Sequence, residues 1–289
     1  MEFYHLRSFV VVAETKNLTQ AAKRLCSTPP AISAHIKTLE QELDTTLFIR
    51  TPKGMTLTEK GQLLLVKAQK TLDSAVDMVN LAADNQDELI GQFNLGLNQS
   101  IQALKCVTLI DNIAENCPGI SLQLEQSSTG QVIREIEAGT LDGGYIYGEV
   151  PENFTAIKIR DESITTVASK HFFDNNIKTQ LELLQMPWIT MAQYCPFDQV
   201  LKQKLGTNIQ SKVQSSHDQS RLELVKIGLG LSFLELSVAK KAESAGDIFI
   251  IPALNFSMPL YFLVLTKRLN DPIIKAMTQE INILWNIAL

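Results

Sequence analysis

The first residues with a recognisable chemical pattern lie in the stretch CSTPPAISAHIKTLE, residues 26–40. Most of one helical face in this stretch is small and uncharged, whereas solvated helix faces usually carry long charged residues. Such a face fits the major groove of DNA, where a hydroxyl and an ammonium group can bond to base edges. The pattern predicts a base-contacting face, and the alternative is an ordinary solvated one. Its members recur at i, i+3, i+4 and i+7: Pro30, Ser33, Ala34 and Lys37.

Two adjacent prolines fix the start of this helix. Thr28 precedes them and is predicted as the N-cap, whose hydroxyl accepts a hydrogen bond from a free backbone amide. Pro29 takes the first helical position, where its missing N–H costs nothing, and Pro30 stays within the first turn. The other face carries apolar residues at spacings of four, three and four, which predicts that they are buried: Ile32, Ile36, Leu39 and Leu43.

Two helices are predicted before this one and a hairpin after it. The first helix covers residues 6–13, and NLTQAAKRL forms the second with Thr19 as its N-cap. The segment LFIRTPKGMTLTEKG is typical of two short strands around a tight turn, with Arg50 and Lys53 flanking that turn. A helix-turn-helix followed by a cationic hairpin predicts a winged helix whose wing grips the sugar-phosphate backbone. The alternative is a plain surface hairpin with two scattered cations.

A long helix is predicted over residues 58–87, which contain no proline and one glycine. A narrow stripe of apolar residues with polar flanks favours a dimer contact, and the alternative is a long helix packed on its own domain. The segment ADNQDELIGQ follows as a polar hinge. The stripe has the alternating spacing of a coiled-coil seam: Leu65, Ala68, Leu72, Ala75, Val79 and Ala82.

After Gly91, short strands and helices alternate, which predicts an α/β domain with mostly parallel sheets. FTAIKI and ITTVAS are predicted as separate strands, and so are IFIIPAL and PLYFLVLTK. In open α/β sheets, small ligands bind beyond the carboxyl ends of strands, near helix N-termini. Serine and threonine at these places are also common as simple helix caps. The polar residues at such positions are Asn98, Gln99, Ser100, Ser127, Ser128, Thr129, Tyr145, Tyr147, His217 and Asp218.

The charge is distributed unevenly along the 289 residues. Residues 1–60 hold 8 Lys+Arg and 6 Asp+Glu, a balance of +2, so the remainder carries −7 to give the total of −5. This asymmetry fits a small basic reader of DNA joined to a larger acidic module. The sequence has no apolar run of roughly 18 residues, so no membrane span is predicted. The N-terminus does not resemble a secretion signal. Scattered cysteines predict reduced thiols in a cytoplasmic protein: Cys26, Cys106, Cys117 and Cys195.

Three segments together resemble the N-terminal domain of LysR-type transcriptional regulators: LRSFVVVAETKNLTQAAKRL, PPAISAHIKTLEQEL and LFIRTPKGMTLTEKG. The resemblance implies an all-α winged helix-turn-helix DNA-binding domain over residues 1–58. It implies a linker and dimerisation helix with its hinge over residues 59–90, and an effector-binding domain over residues 91–289. The chain is then expected to act as a dimer, or as a tetramer built from two dimers, on a pseudo-palindromic operator in double-stranded DNA.

The same resemblance assigns DNA contacts by position. Family members often have Gln and Arg where this chain has Pro29 and Ala34. Fewer direct hydrogen bonds to bases are therefore expected, with apolar contacts to thymine methyl groups and readout of DNA shape supplying the rest. The other positions form a groove-facing set, Pro30, Ser33 and Lys37, and a phosphate-binding set, Thr28, Arg50 and Lys53.

A weaker resemblance to this family extends to residue 289 through the segments IEAGTLDGGYIYG and LELVKIGLGLSFL. It implies a two-lobed, periplasmic-binding-protein-like (type 2) α/β domain, with lobe I over residues 91–161 and 267–289 and lobe II over residues 162–266. The second segment lacks the usual proline, and Glu235 lies nearby. Hydroxyls, an aromatic ring and helix N-termini with little cationic charge predict a small polar or anionic effector. Five positions line the inter-lobe cleft in such folds: Ser100, Ser128, Thr129, Phe197 and His217.

Two other functions compete with this interpretation. An enzyme is disfavoured because the chain has four histidines, no GxSxG elbow, no P-loop and no HExxH motif. No metal and no cofactor are predicted. A thiol-based oxidant sensor on the same scaffold would use Cys195, which lies in the region where peroxide-sensing relatives keep their reactive thiol. No partner cysteine follows it in the sequence, so only a lone sulfenic acid would be available.

Overall fold

The computed structural model describes residues 1–51, 54–82, 88–170, 183, 185–191, 194–206, 209–215 and 217–287. The chain forms two compact units, unit 1 over Met1–Gly91 and unit 2 over Gln92–Leu289. Within the described ranges, no helix is both long enough and apolar enough to cross a membrane.

Unit 1 is a helical domain with a two-stranded hairpin and a long final helix. Its core is built from the apolar faces of the first three helices and the start of the fourth. The elements are α1 (Phe3–Thr15), α2 (Leu18–Arg24), α3 (Pro29–Glu42), β1 (Phe48–Thr51), β2 (Gly54–Leu57) and α4 (Glu59–Asn80).

The start of α3 is as its sequence predicts. The Thr28 hydroxyl accepts a hydrogen bond from the Ala31 amide at 3.4 Å, and the two prolines occupy the first helical positions. Ile32, Ile36 and Leu39 are buried, so the predicted apolar stripe is confirmed for these three residues. The prediction that Leu43 is buried is wrong. The helix ends one residue earlier, and Leu43 is 37% exposed at the C-cap.

The N-cap of α2 also differs from the prediction. The cap is Asn17, whose side-chain oxygen accepts hydrogen bonds from the Thr19 and Gln20 amides at 2.9 and 3.1 Å. Thr19 lies inside the first turn as a helical residue. Asparagine is at least as good an N-cap as threonine, and its amide oxygen reaches two free donors here. The helix therefore begins at Leu18, earlier than expected.

The predicted hairpin is present, with Arg50 opposite Met55 in antiparallel register. The Glu40 carboxylate fastens it to α3 by accepting hydrogen bonds from the Leu47 and Phe48 amides at 2.7 and 3.2 Å. Helix α4 follows at once, capped by the Thr58 hydroxyl, which accepts from the Gly61 amide at 2.9 Å. These contacts hold α3 and the hairpin in one fixed arrangement.

Helix α4 divides the predicted seam into two parts. Ala68 is 5% exposed within the unit 1 core, and Leu65 and Leu72 pack against that core. The packing gives these three residues an intrachain role, which was the alternative to a dimer contact. Ala75, Val79 and Ala82 lie further along, and Val79 is 54% exposed. The last predicted turns fall on residues 83–87, outside the described residues.

Unit 2 is an α/β domain. The elements up to its middle are β3 (Gly91–Leu97), α5 (Cys106–Asn116), β4 (Ile120–Gln126), α6 (Thr129–Ala138), β5 (Gly143–Tyr147), β6 (Phe154–Ser169) and β7 (Trp188–Thr190). The remaining elements are α7 (Pro196–Leu205), β8 (Ser211–Gln214), α8 (Asp218–Lys226), β9 (Ser232–Glu235), α9 (Leu236–Ser244), β10 (Ile248–Leu265), a 3₁₀ turn (Thr266–Arg268) and α10 (Pro272–Trp285).

Two long strands organise unit 2. The predicted pair FTAIKI and ITTVAS forms the single strand β6, and IFIIPAL and PLYFLVLTK form the single strand β10, so both predicted breaks are wrong. The two strands pair antiparallel along their length, with irregular register between Ile251 and Phe256 and at Leu260. The sheet order is β4-β3-β5-β10-β6-β9. The sheet is mixed, which corrects the expectation of mostly parallel strands.

The long strands connect two groups of elements. The end of β10 pairs with β5, which runs parallel to β3, and this group forms the first lobe, although the predicted bounds of lobe II, residues 162–266, include all of β10. The end of β6 pairs with β9 and with the start of β10, which places β9 in the second lobe. Because β3 and β5 are parallel, their carboxyl ends reach the same edge of the sheet. Polar residues following these strands therefore meet.

Candidate functional site

The outward face of α3 is accessible along its length. Pro30, Ala34 and Lys37 are exposed, and Ser33 is half-buried. Thr28 and Pro29 are exposed at the helix start, where free amides point outwards. Together they form the surface that we call the α3 face: Thr28, Pro29, Pro30, Ser33, Ala34 and Lys37. Short side chains and a helix N-terminus combine here, as a helix entering a DNA groove requires.

The wing adds a cation to the α3 face. Arg50, exposed on β1, donates a hydrogen bond from Nη2 to the Ser33 hydroxyl at 3.3 Å. The sequence placed Arg50 only at the hairpin, so the contact with α3 is a finding of the structure. Lys53 lies outside the described residues. The α3 face and Arg50 thus form one continuous surface with a cation beside a groove-sized helix.

Unit 2 contains a buried polar cluster between its two lobes. Gln99, just after β3, donates from Nε2 to the Tyr147 hydroxyl and to Glu235 Oε1. The Tyr147 hydroxyl also donates to Glu235 Oε1, at 2.8 Å. Tyr147 ends β5 and Glu235 ends β9, so the three residues join strand ends from both lobes. We call Gln99, Tyr147 and Glu235 the cleft cluster.

Two further predicted residues support this cluster. The Thr129 hydroxyl accepts a hydrogen bond from the Tyr147 amide at 3.1 Å. The Phe197 ring lies 4.9 Å from the Tyr147 ring, measured between centroids, and Phe197 is 3% exposed. Thr129 therefore fixes the backbone of Tyr147 and Phe197 packs against its side chain. The structure brings Gln99, Thr129, Tyr147 and Phe197 together.

The other predicted residues are arranged differently. The Ser100 hydroxyl is exposed and accepts from the Ala103 amide at 3.2 Å, as an ordinary turn cap does. Ser128 and His217 precede α6 and α8, and neither side chain caps its helix. Asn98 has a buried Nδ2 and Oδ1 without a hydrogen-bond partner among the described residues. Tyr145 makes a different contact: its hydroxyl accepts a hydrogen bond from Trp285 Nε1 at 3.3 Å.

The two lobes also touch at the start of α6. A Cβ atom built on Gly130 would lie 2.4 Å from Tyr194 Cβ, closer than real Cβ atoms approach another atom. The Arg134 guanidinium lies 4.9 Å from the Tyr194 ring centroid, within the range of a cation–π contact. Gly130 and Arg134 belong to α6, and Tyr194 comes from the segment before α7. The lobes are therefore in direct contact on this side of the cleft.

Glu235 is the carboxylate of the cleft cluster, and it is 3% exposed. Burial and the nearby Asp218 and Glu162 carboxylates raise the pKa of Glu235 to about 7, while hydrogen bonds from Tyr147 and Gln99 act in the opposite direction. Burial also raises the pKa of the Tyr147 hydroxyl well above its usual value. A buried carboxylate without a cationic partner keeps its proton more readily. The cleft thus contains a carboxyl group that titrates near neutral pH.

Two models of known protein families match the two parts of the chain that contain these sites. A family model described as "Bacterial regulatory helix-turn-helix protein, lysR family" matches residues 3–62. A second, described as "LysR substrate binding domain", matches residues 86–282, more than half of the chain. This chain belongs to the LysR family. It is a LysR-type DNA-binding transcriptional regulator with an effector-binding domain.

Individual LysR-type proteins resemble this regulator along most of its length. YusT from Bacillus subtilis (strain 168), an uncharacterised HTH-type transcriptional regulator, is 28% identical over 257 residues, 87% of this chain and 85% of YusT. The transcriptional regulator CysL from the same organism is 28% identical over 266 residues, 88% of this chain and 87% of CysL.

Solved structures show the same fold. A full-length OxyR variant from Pseudomonas aeruginosa has a TM-score of 0.70 at 21% identity, covering 98% of this chain and 95% of that chain. CbnR in complex with its target DNA has a TM-score of 0.65 at 20% identity, covering 98% and 99%. The fold is therefore a winged helix-turn-helix domain joined to a two-lobed periplasmic-binding-protein-like domain, as the sequence predicted.

The residue of this LysR-family chain that sequence reasoning left out of its site is Glu235. The available signal was the missing proline after LSFL, the position at which Glu235 stands. Within the described part of the chain, no group of three or more His, Cys, Asp or Glu could hold a metal ion.

Cys195 provides a test of the oxidant-sensing alternative. The thiol lies at the start of α7, and burial raises its pKa, which lowers the fraction of reactive thiolate. We expect hydrogen peroxide to leave DNA binding unchanged in both the natural protein and Cys195→Ser, as measured by electrophoretic mobility shift. An oxidant effect that disappears in Cys195→Ser would contradict this expectation and favour a redox sensor.

Proposed function

We propose that this LysR-family regulator binds its operator through the α3 face and Arg50, and that a small polar ligand in the inter-lobe cleft controls that binding. The observation that carries the DNA part is the contact between Arg50 and Ser33, which joins the wing cation to a groove-sized helix face. Family membership supplies the class of function. On this proposal the protein acts in the cytoplasm, where it has access to the chromosome.

The DNA contacts proposed for the α3 face differ in kind. Ser33 and Lys37 read polar base edges in the major groove, and Pro30 and Ala34 contact thymine methyl groups. Thr28 and Arg50 bind phosphates, and Lys53, a cation of the same sequence segment as Arg50, is proposed to do the same. Pro29 and Ala34 offer no side-chain hydrogen bonds, so the sequence dependence of DNA shape carries more of the specificity.

Arg50 is expected to act mainly through phosphate charge. In Arg50→Ala, binding should weaken to a similar extent on all DNA sequences, and the slope of log affinity against log salt should become shallower by about 1. Lys267→Ala removes the same charge from an exposed residue of unit 2 and is the matched control. An unchanged salt slope in Arg50→Ala would mean that the wing cation does not contact the backbone.

Assembly is proposed to use the second part of α4. Ala75, Val79 and Ala82 continue the apolar stripe beyond the residues that pack on the unit 1 core. Met78 and Leu81, 70% and 71% exposed, widen the same end of the helix. Exposed apolar residues at a helix end are buried when a second copy packs there. A dimer through this end, and a tetramer of two dimers, would place paired α3 helices on a pseudo-palindromic operator.

Control by a ligand is proposed to work through the cleft cluster and the two long strands. Gln99 and Tyr147 from one lobe bond to Glu235 from the other, so a ligand in the cleft must alter these bonds. The irregular register of β6 and β10 lies where the strands pass between lobes, and bulges there allow rotation. A ligand that favours one lobe arrangement shifts the population of assemblies on DNA.

Footprinting tests the proposal as a whole. The DNA is the promoter region beside the regulator's own gene, with and without small metabolites from the host cell. We expect sequence-specific protection that weakens steeply with salt and whose extent changes with at least one metabolite. The absence of salt-sensitive, sequence-specific protection would refute the DNA part. Protection that responds to no metabolite would refute the ligand part.

A further inference from the structure

We propose that Glu235 makes the inter-lobe cleft selective for a ligand with a positively charged nitrogen, such as an amine or an amidine. The inference rests on the proposed role of the cleft as the ligand site. It makes the small polar ligand of the proposed function a cationic one and replaces the anionic effector that the sequence also left open. Glu235 is then the counter-ion of the bound ligand and the residue that decides its chemical class.

The first step concerns the position of Glu235. Its carboxylate is buried between the lobes and accepts hydrogen bonds at Oε1 from Gln99 and Tyr147. Both donors are neutral, so they bond to the carboxylate without balancing its charge. Among the residues that the structure describes, no ion pair to Glu235 is found. A buried carboxylate in this state is costly when ionised.

The second step concerns the two arginines near the cleft, which are both in use. Arg160 on β6 donates to Glu162 at 2.7 Å, to the Ala103 carbonyl at 3.3 Å and to Gln99 Oε1 at 3.1 Å. Its guanidinium is thus bonded to Gln99 and to its own carboxylate partner. A ligand carboxylate would compete with Glu162 and Gln99 for this guanidinium, whose charge Glu162 already balances.

Arg221 on α8 is engaged in the same way. It donates to the Asp218 carboxylate, to the Phe233 carbonyl and to the Ser215 carbonyl, and it is 1% exposed. Its charge is therefore matched to Asp218 and fixed in the protein interior. With Arg160 matched to Glu162, the two arginines and two carboxylates cancel, which leaves Glu235 as the unbalanced charge.

The third step compares ligands. An anion would be repelled by the ionised Glu235 carboxylate, whose pKa the Asp218 and Glu162 carboxylates already raise. A cation would pair with Glu235 and favour its ionised form. A charge-assisted hydrogen bond of this kind stabilises more than a neutral one, especially away from water.

Two probes of similar shape and opposite charge test the proposal: n-propylammonium and butanoate. Their affinities for the full-length protein are measured by titration calorimetry at a pH above the pKa of Glu235. We expect the ammonium probe to bind more tightly than butanoate to the natural protein. Glu235→Gln should weaken ammonium binding about tenfold or more, because a hydrogen bond to a charged group is lost. Glu152→Gln, at an exposed position outside the cleft, should leave both affinities unchanged.

A second measurement needs no variant. Because ammonium binding uses the ionised carboxylate, its affinity for the natural protein should fall as the pH drops below about 7, approaching tenfold per pH unit. The proposal is overturned if butanoate binds as tightly as the ammonium probe or if the ammonium probe does not bind at millimolar concentrations. Ammonium binding that is insensitive both to Glu235→Gln and to pH would also overturn it.

Failure of this inference is distinguishable from failure of the proposed function. If a metabolite without a cationic nitrogen changes the DNA footprint and still does so in Glu235→Gln, the cleft function stands and the selectivity is wrong. If no metabolite changes the footprint and neither probe binds, the cleft is not a ligand site. The two results come from separate assays on the same full-length protein.

Discussion

The double substitution Ser33→Glu with Ala34→Glu is expected to abolish operator binding. Both residues lie on the α3 face, and Ser33 also contacts Arg50. Two carboxylates there would meet the phosphates and the acceptor atoms of the base edges at close range, and one of them would pair with Arg50 and remove it from DNA. Affinity for the operator should fall by about a thousandfold or more, to the level of non-specific binding or below.

Fluorescence anisotropy with a labelled operator measures this loss. Ala34 is exposed and Ser33 half-buried at the surface of α3, so the melting temperature and the oligomeric state should stay close to those of the natural protein. Ser244→Glu with Ala245→Glu adds the same two charges at exposed positions at the C-terminal end of α9 and serves as the control. Retained operator binding in the α3 double variant would show that the α3 face is only solvated surface.

The second large effect is expected from Glu235→Gln on the stability of unit 2 as a function of pH. The folded protein has a Glu235 pKa of about 7, against 4.5 for an unperturbed glutamic acid. The folded state therefore holds this proton more tightly than the unfolded state does. Between these two values, a rise in pH removes the proton from the unfolded chain first, so stability falls as pH increases. Above both values the full cost of the ionised carboxylate is present.

Glutamine has the size of glutamate and carries no charge. At about pH 8, Glu235→Gln should be more stable than the natural protein by up to about 3 kcal/mol, which corresponds to a melting temperature higher by up to about 10 °C. The difference should shrink as the pH falls towards 4.5. Differential scanning fluorimetry over this range measures it, with Glu152→Gln as the control. A pH-independent difference would mean that Glu235 is ionised, or neutral, over the whole range.

Helix α3 shows how much of a local structure can be predicted from its own sequence. Its cap, its two prolines and most of its apolar stripe depend on interactions within a few residues, and these rules are strong. The wing follows for the same reason, since its strands are short and adjacent. The contact between Arg50 and Ser33 joins residues 17 positions apart, and no periodicity in the sequence indicates it.

In unit 2, contacts between residues far apart in the sequence determine features that local sequence rules do not predict. Strands β6 and β10 run without the predicted breaks because pairing along the two strands outweighs local sequence preferences. The cleft cluster joins residues up to 136 positions apart, so only the fold reveals that Gln99 meets Glu235. The dimer seam stays a prediction for a similar reason, because a stripe on α4 is equally compatible with packing on unit 1 and with packing on a second copy.

The contact between Gly130 and Tyr194 has a further consequence for how this regulator can be tuned. The hydrogen atom on Gly130 is the largest group that the present separation of the lobes tolerates at this point. Any side chain there acts as a wedge, and its volume sets the smallest angle that the lobes can adopt. Changes in the resting output of the regulator could thus arise at residue 130 without any alteration of the ligand cleft or of the DNA surface.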